Sequence, residues 1–481
     1  MTEEVEQERP TLEGNEALYL WRQGRAAWNS WVDQHPGWDI SFRGIDFSTE
    51  RDSQGDLHFS GYHFGSGQVN FSKTTFGDGN VYFSNAEFGD SNLYFVSCTF
   101  GNGSLVFSNA TFGNSNIYFS GTNFGDGIIY FSRTNFGDGD LVFSETNFGI
   151  GNVYFYESNF GNGKVEFRNT TVEGGNLYFI GATFGNGEIN FSSSNLENSE
   201  VSFSETIFGD GRLDFSGASF KELFFNPKEI GSNHVVAQGV SIKSRAVFML
   251  PPSAAALKHF ELFGASFNGP LFLSGNLGIV PDIRATRSSH QIELSDLNVK
   301  LRRIWKWRSW PPKLSRIAED QQDWARLRRL KEIAETNKDH QAALRFSADE
   351  NRAKRWIETS WFGSVLDMAF SAFSDYGQNI LRPFVALIIL TAASMGLYKT
   401  LATETSAAGW EGWAQAALLS ASNSLPFLPQ SRDLREDALT ALHGTTTTPD
   451  LWVNTLMITQ GVLSFAFLFL IGLGLRNRFR L

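Results

Sequence analysis

Acidic and amide side chains recur beside glycines through the first half of the chain, in runs such as Phe-Gly-Asp-Gly-Asp at residues 136–140. Carboxylate and amide oxygens are the ligands that Ca²⁺ prefers, and calcium-binding β-rolls carry them in a nine-residue Gly-Gly-x-Gly-x-Asp repeat. The runs in this chain return at every twelfth position and lack that pattern. They favour Asp and Asn side chains that hydrogen-bond to the backbone of turns, and no metal ligand is predicted.

The other side chains that commonly catalyse reactions are scattered. The eight His form no His-x-x-x-His pair, and the single cysteine, Cys98, excludes an intramolecular disulfide. The chain contains no Gly-x-Ser-x-Gly motif, Walker loop or dinucleotide fingerprint. Glu350 lies among basic residues, and an ion pair with Arg345 or Arg352 is a better interpretation of it than a catalytic acid. The sequence therefore predicts a protein that is not an enzyme, with no catalytic residue and no cofactor.

The turn residues belong to a sequence repeat with a period of twelve residues, and the fold of this repeat must position them. A Phe stands at every twelfth position from Phe47 to Phe215, and an aliphatic residue precedes each of them by two positions. A second Phe follows five positions later, from Phe64 to Phe220, replaced only by Val172 and Leu196. Aliphatic-x-Phe places both side chains on one face of a strand, and Gly with Asp or Asn then forms the turn. We predict a core ladder of inward rings that includes Phe71, Phe76, Phe83, Phe88, Phe95, Phe107, Phe119, Phe131, Phe143 and Phe155.

Stacked coils would bury this stripe of rings, whereas a free hairpin would leave it in water. A single repeat makes too tight a perimeter to hold one aliphatic residue and two rings, so we expect two repeats, or about 24 residues, in each coil. Fifteen repeats then give about seven and a half coils and a rod of roughly 35 Å at the usual strand spacing. The fold predicted is mainly β: a β-helix, or solenoid, followed by a helical hairpin and a two-span membrane domain.

The two ends of the solenoid depart from the repeat. Residues 1–40 are predicted to form a helical cap, in which Trp28 and Trp31 cover the open end of the first coil. The regular repeat occupies residues 41–220, and residues 221–300 are expected to hold a loop, a short helix and a last irregular coil or two. From Pro312 the apolar period becomes helical, which predicts two helices within a basic region at 301–373.

Charge is distributed unevenly between these parts. Residues 47–220 hold 19 acidic and 6 basic residues, a net charge of −13, and residues 281–356 hold 11 acidic and 18 basic residues, a net charge of +7. Each run is typical of a solvated surface. A basic run just before apolar segments also suits the anionic face of a membrane.

Residues 374–481 are predicted to form the membrane domain. Residues 383–402 and 451–475 are long and apolar enough to cross a bilayer, and Arg382, Arg476, Arg478 and Arg480 flank them on one side. Because positively charged flanks of spans stay inside, both chain ends are expected in the cytoplasm and residues 403–450 outside. The acidic N-terminus is also not typical of a secretory signal. Residues 409–430 are predicted to form either an interfacial helix anchored by Trp410 and Trp413 or a re-entrant half-helix.

Several segments resemble the membrane-bound pentapeptide-repeat proteins of bacteria. The entry segment at 24–48, Leu330 with Lys331, Asp339, Phe346 with Glu350, and the stretches 374–384 and 467–481 match signatures of that family. The repeat itself resembles a stretched relative of the family motif, because its inward residues are spaced by 2, 5 and 5 positions. The resemblance implies an integral protein of the bacterial inner membrane and assigns no activity to it.

Three functions are compatible with these features. The first is a membrane-anchored scaffold or sensor whose solenoid binds an unknown protein partner. The second is an oligomeric ion channel or membrane-gating device, since a span, a re-entrant helix and a second span are the plan of a two-helix channel; the chain lacks the Gly-rich filter of potassium channels. The third is an acidic mimic of DNA that acts on a topoisomerase. The lipid bilayer is the predicted partner, no nucleic-acid partner is expected, and a homo-oligomer is left open.

Overall fold

The computed structural model describes residues 9–294, 296–308, 313–403, 409–425, 429–444 and 450–479, with the backbone alone for 306–308 and 313–315. The chain divides into two compact units. One comprises residues 1–303 and 325–339, and the other comprises residues 304–324 and 340–481.

The first unit is a β-solenoid of about 12 coils over residues 11–299. Its strands are parallel, and each regular strand pairs with the strand two repeats later, as in the registers Ile117↔Leu141 and Val153↔Leu177. Two repeats therefore make one coil, which confirms the prediction. Successive repeats alternate between two long sheets, so every coil contributes one strand to each sheet, on different sides of the rod.

The strands are short because each coil soon turns again. The first long sheet contains Thr11–Glu13, Asp39–Ser41, Val69–Asn70, Leu93–Tyr94, Ile117–Tyr118, Leu141–Val142, Val165–Glu166, Ile189–Asn190, Leu213–Asp214, His234–Val236 and His259–Glu261. The second contains Leu57–His58, Val81–Tyr82, Leu105–Val106, Ile129–Tyr130, Val153–Tyr154, Leu177–Tyr178, Asn195–Ser202, Ser219–Phe225, Ser241–Met249, Ser266–Phe267 and Arg287–Ser288, joined by Asn147–Phe148, Thr171–Val172, Leu271–Leu277, Ile292–Glu293 and Leu297–Val299. The remaining solenoid strands are Thr75–Gly77, Thr99–Phe100, Thr183–Phe184, Ile207–Phe208 and Glu229–Ile230.

Phenylalanine rings fill the interior of the rod. The ten rings predicted for the core ladder are at most 4% exposed. Rings in successive coils stack nearly parallel, with Phe71 and Phe95 centroids 4.9 Å apart, whereas rings from the two halves of one coil meet edge to face, as Phe71 and Phe83 do at 5.9 Å and 86°. Offset stacks and edge contacts are the favourable geometries of aromatic pairs, so the rings are the core of the fold.

A second inward column, which the sequence analysis missed, consists of small residues three positions after the first Phe of each repeat. Thr134 in this column donates its hydroxyl hydrogen to the carbonyl oxygen of Phe107 at 2.8 Å, and Thr170 does the same to Phe143. Cys98 occupies the column too, and burial raises the pKa of its thiol to about 12. Residues 74–218 carry Thr, Ala, Ser or Cys at every such position, which is the signal that could have revealed the column.

The Asp and Asn residues of the turns stabilise the stack of coils. Asp138 accepts a hydrogen bond at Oδ1 from the backbone N–H of Asn162 at 2.8 Å, and Asn162 accepts one from Asn186 at 3.1 Å, in each case from the next coil. Glycine is required beside them because the coils approach closely. A Cβ atom on Gly127 would lie 1.8 Å from the carbonyl oxygen of Gly103. Close stacking, as well as turn geometry, explains the Gly-Asp-Gly pattern.

Two helices cover the start of the solenoid: α1 (Gly14–Arg22) and α2 (Arg25–Gln34). Trp28 on α2 is fully buried, stacks on Phe42 at 5.6 Å and donates its indole hydrogen to the carbonyl oxygen of His63 at 2.7 Å. Trp31 was also expected to cover the end of the first coil, but it stacks on His35, with the ring centroids 4.3 Å apart, and is partly exposed. Trp21 on α1 covers the neighbouring rings instead, 5.3 Å from Phe47.

The coils continue beyond residue 220 with unequal lengths. The register Leu213↔Val235 closes a coil two positions shorter than a regular one, and Val235↔Phe260 closes a coil one position longer. A 3-10 helix at Pro252–Ala256 interrupts the strands. Parallel pairing reaches Leu297–Val299, so the solenoid extends further than the one or two final coils expected. A changing coil length removes the period from the sequence without removing the stack.

Helix α3 (Asp323–Thr336) packs on the last coils. Its Leu327 and Leu330 are fully buried, and Arg329 donates to the carbonyl oxygen of Thr286 at 3.1 Å. Asp282, only 5% exposed at its side chain, pairs with Arg284 at 2.7 Å and with Arg326 of the helix at 3.4 Å. Burial alone would raise the pKa of Asp282, but hydrogen bonds from Arg284 and the charges of both arginines outweigh it and hold the pKa below its ordinary value.

The prediction that the chain becomes helical from Pro312 is wrong. Arg303–Arg308 and Lys313–Ala318 pair as a two-stranded sheet, and helix begins only at Asp323. Residues 304, 305 and 307 are Ile, Trp and Trp, which favour strands. Ile317, expected on the apolar stripe of the first helix, therefore lies in a strand, whereas Trp324 and Leu327 of that stripe lie in α3.

The rest of the second unit is helical. Its helices are α4 (His340–Lys354), α5 (Trp361–Ser374), α6 (Leu381–Thr400), α7 (Trp410–Ser424), α8 (Ser431–His443) and α9 (Leu451–Phe479). Helix α8 had not been predicted as a separate helix. Glu350 on α4 is buried and its carboxylate is 2.5 Å from Nζ of Lys354, so it forms an ion pair, as expected for this residue.

Candidate functional site

One candidate site is a row of tyrosines on the outer side of the second long sheet. Tyr130, Tyr154 and Tyr178 pair in register in three successive coils, with ring centroids 5.4 Å apart at each step. Tyr156 lies beside them, 5.1 Å from Tyr154. We call these four residues the tyrosine face. Their rings are half-buried or exposed and lie outside the core.

Acidic residues extend this face into the next two coils. Glu200 lies beside Glu222 in the paired strands Asn195–Ser202 and Ser219–Phe225. Burial and the charge of Glu222 raise the pKa of the Glu200 carboxyl. Burial and the charge of Glu200 raise the pKa of Tyr178. The carboxylates of Glu200 and Glu222, which lie side by side at this end of the face, favour a cationic group on a binding partner.

Three residues near the start of the rod could offer ligand atoms to a metal ion. Asp52, Asp56 and His58 are the one such group found among the described residues. Asp52 already accepts hydrogen bonds from the backbone N–H groups of Gln54 and Asp56, at 2.8 and 2.9 Å, and from the ring of His58 at 3.1 Å. These contacts are those of a turn, and no metal site is inferred from them.

The second candidate site lies in the helical unit, whose outer surface is apolar. Helices α6 and α9 are long and apolar enough to cross a membrane, yet only 22% and 17% of their most apolar windows are buried. Ile389 on α6 and Phe465 on α9 are 62% and 70% exposed. The apolar core helix of a water-soluble protein would be mostly buried, so these surfaces are the kind that lipid covers.

The two long helices are antiparallel. Asn477 near the end of α9 donates to the carbonyl oxygen of Gly377, just before α6, at 3.2 Å. Arg382, Arg476 and Arg478 consequently share one end of the helical unit and lie at its surface, whereas Arg480 lies outside the described residues. At the opposite end Trp410 and Trp413 begin α7 and are 81% and 44% exposed.

Helix α7 runs from that opposite end to the middle of the unit. Its last residue, Ser424, lies 2.9 Å from Thr391, halfway along α6, and 3.3 Å from Ser464, halfway along α9, measured between hydroxyl oxygens. The structure therefore favours the re-entrant half-helix over the interfacial helix. A helix lying flat across the ends of α6 and α9 would not reach their midpoints.

Polar side chains hold α7 in this position. Gln460 on α9 is 1% exposed and donates from Nε2 to the hydroxyls of Ser420 and Ser424, at 2.8 and 2.9 Å. Its Oε1 accepts from Tyr398 of α6 at 2.7 Å and from Asn423 at 3.1 Å. Because both ends of the Gln460 amide are bonded, these residues form a closed hydrogen-bond network joining three helices.

The stretch 374–384, one of the family-like signatures, forms the turn into α6. Asp375, Tyr376 and Gly377 are three consecutive residues with positive φ, of 49°, 57° and 76°. Arg355, the residue after α4, donates to the hydroxyl oxygen of Tyr376 at 2.9 Å and pairs with Asp367 of α5 at 2.6 Å. Burial raises the pKa of Tyr376 to about 12. The arginine thus fixes a strained turn that sets the direction of α6.

Helix α8 returns from the middle of the unit toward the end at which α7 began. Ala438 and Leu442 are fully buried in a cluster with Ala416 and Leu419 of α7. The backbone N–H of Thr403, just past the end of α6, donates to the carbonyl oxygen of Leu442 at 3.1 Å. Helices α7 and α8 therefore form an antiparallel hairpin beside α6 and α9.

The opposite side of α8 is charged and exposed. We call Arg432, Asp433, Arg435, Glu436 and Asp437 the charged face of α8; all are exposed except Arg435, which is partly exposed. Arg432 and Glu436 pair along the helix at 3.3 Å, with 80% and 66% of their side chains exposed. This face contrasts with the apolar outer surfaces of α6 and α9.

Comparison of the chain with protein-family models, curated proteins and solved structures gives no match. The resemblance to membrane-bound pentapeptide-repeat proteins, based on the residues alone, therefore stays a prediction.

Sequence reasoning predicted the inward rings, the buried Trp28, the two long apolar helices and the re-entrant alternative for residues 409–430. It missed the tyrosine face, the hydrogen bonds of Gln460 and helix α8. No prediction was made for the tyrosines of the repeat. A signal for α8 was present in residues 431–443, where Ser431, Ala438 and Leu442 alternate with charges at helical spacing.

Proposed function

We propose that the protein is a membrane-anchored, non-enzymatic scaffold whose solenoid binds a basic partner protein at the cytoplasmic face of a bacterial membrane. The observation that carries the proposal is the tyrosine face beside Glu200. Tyrosine is enriched among the residues that dominate protein interfaces, because a rigid ring buries a large area at a small cost in side-chain entropy.

The interior of the solenoid supports a binding role over a catalytic one. Because the rings inside the regular coils are almost fully buried, the rod offers its outer surface to a ligand. The tyrosine face extends over three successive coils, and solenoids use extended surfaces of this kind to bind proteins.

The helical unit supplies the anchor. The exposed apolar surfaces of α6 and α9 and the arginines at one end support two spans with the positive end in the cytoplasm. The basic run at 281–356, which precedes the spans in the sequence, also suits the anionic face of a membrane.

The experiment uses the full-length protein in its own membrane, with cross-linking and mass spectrometry to identify what lies against the rod. Replacing Tyr130, Tyr154 and Tyr178 together by Ser should remove the cross-linked partner. The matched control replaces Tyr94 and Tyr118, which stack at 5.3 Å on the first long sheet, and should leave the partner bound.

Salt gives a second measurement on the same complex. Raising the ionic strength from about 0.1 M to 1 M shortens the Debye length from about 10 Å to 3 Å, so a basic partner should dissociate. Equal recovery of the partner with both tyrosine variants, or a complex that is indifferent to salt, would contradict the proposed site.

A second candidate function is an oligomeric channel, and the re-entrant hairpin of α7 and α8 favours it. Helices that enter a membrane halfway are tolerated where they are buried in protein or line a water-filled cavity. Purified protein in planar bilayers should then give voltage-dependent or pH-dependent currents. If a bilayer that contains the assembled protein shows no current, the channel function is excluded and the scaffold function remains.

A further inference from the structure

In the described helical unit, the charged face of α8 is the surface that needs contact with protein or water and that lipid tails cannot cover. This inference rests on the proposed membrane anchor. Helix α6 spans 20 residues, or about 30 Å, which matches the hydrocarbon thickness of a bilayer. Thr391 then lies near the midplane, and Leu442, bonded beyond the end of α6, lies at the outer surface.

The depth of the charges follows from the length of α8. Arg432 precedes Leu442 by ten positions and Glu436 precedes it by six, which places them up to about 15 and 9 Å below the surface for a helix that runs along α7. Charged side chains at such depths face protein or a water-filled cavity and not lipid tails.

An apolar groove in the helical unit differs in this respect. A groove of about 630 Å³ lies between α6, α7 and α9, and its lining is almost wholly apolar, with Leu387, Met395 and Leu468 among its residues. Acyl chains can fill such a groove, so it does not require a protein partner. The charged face of α8 does.

We propose that this face is covered by the same face of further copies of the chain, which surround a water-filled space open to the outer side of the membrane. The occupant is assigned to a second copy because the face is complementary to itself. Arg432 and Arg435 alternate with Asp433, Glu436 and Asp437 on one helix, so identical faces can meet with opposite charges together and leave the remainder in water.

Cysteine cross-linking of the full-length chain in membranes tests the proposal. Cys98 can stay in place, because it is 1% exposed and its pKa is raised to about 12. Glu436→Cys should form a disulfide-linked dimer on mild oxidation and should react with a membrane-impermeant thiosulfonate added from outside. Ile388→Cys and Ile458→Cys, on exposed apolar surfaces of α6 and α9, are matched controls that should do neither.

A charge exchange provides a second readout that does not depend on a cysteine. Glu436→Arg should weaken self-association at least tenfold, measured by native mass spectrometry in nanodiscs, and Arg432→Glu combined with Glu436→Arg should restore it. Because the reversed pair also restores the contact within α8, the single and double variants should have equal helix content by circular dichroism, which separates lost self-association from a folding defect.

The outcomes separate this inference from the anchor. Protein released by alkaline carbonate would refute the anchor and the inference together. Protein that stays in the membrane but remains a monomer, with Glu436→Cys labelled and not cross-linked, would refute only the inference and place α8 at the membrane surface. A cysteine at 436 that is neither labelled nor cross-linked would show a different protein over α8 and would also overturn it.

Discussion

Phe131 offers the sharpest test of the ring-filled core. Its ring is fully buried, stacked between Phe107 at 5.2 Å and Phe155 at 5.0 Å, and meets Phe119 and Phe143 edge to face. Replacing a buried Phe by Ala costs about 3–5 kcal/mol, through lost transfer energy and the cavity that remains. Because neighbouring coils are held by the same stacks, we expect Phe131→Ala to cost about 4 kcal/mol.

Amide hydrogen exchange in the full-length protein measures this cost locally. Since about 1.4 kcal/mol is a factor of ten, about 4 kcal/mol corresponds to exchange roughly 700-fold faster through opening of the coils around residue 131. A repeat protein opens coil by coil, so the helical unit should keep its exchange rates and serve as the internal reference. Phe131→Asp should go further and unfold these coils, because it also buries an unpaired carboxylate.

Ile150 provides the control for Phe131. It lies on the same part of the rod but is 63% exposed, so Ile150→Ala should change the free energy of unfolding by less than about 0.5 kcal/mol. If Phe131→Ala accelerated exchange by less than tenfold, the reasoning that the stacked rings hold the coils together would be refuted.

Three further predictions concern other contacts. Thr134→Val should destabilise the rod by about 1–2 kcal/mol in the same exchange experiment because it removes a buried hydroxyl bond, whereas Thr111→Val at an exposed position should be neutral. Asp282→Asn should release α3, at a cost of about 3 kcal/mol, and make it sensitive to trypsin. In the wild type, the stability that the Asp282 carboxylate contributes should be fully present above its ordinary pKa of 3.8 and be lost as the pH falls through its lower folded pKa. Trypsin sensitivity of α3 that appeared only on raising the pH would contradict this prediction. Gln460→Leu should destabilise the helical unit by about 2 kcal/mol in a detergent unfolding assay, and an unchanged midpoint would exclude the network as what holds α7.

Much of the rod could be predicted because its rules are local. Aliphatic-x-Phe fixes which side chains point inward, and the constant period fixes that every coil repeats the same contacts. The irregular coils after residue 220 were less predictable because parallel pairing tolerates coils of unequal length, such as those closed by Val235↔Phe260 and Phe267↔Ser288, which erase the period. The strands at 303–318 were misassigned because a short amphipathic stretch fits either a strand or a helix until its partner is known.

The sequence by itself determined the solenoid, its ring core and the two apolar helices, since each depends on spacing along the chain. Only the closed coil decided which outward residues are neighbours: with two repeats in each coil, Tyr130, Tyr154 and Tyr178 share one side while Tyr94 and Tyr118 lie on another. Only tertiary packing decided the path of residues 410–443, because an apolar helix can lie on a membrane or enter it. Hydrogen bonds from Gln460, which is distant in sequence from Ser420 and Ser424, draw α7 to the middle of the helical unit and leave the charges of α8 exposed beside it.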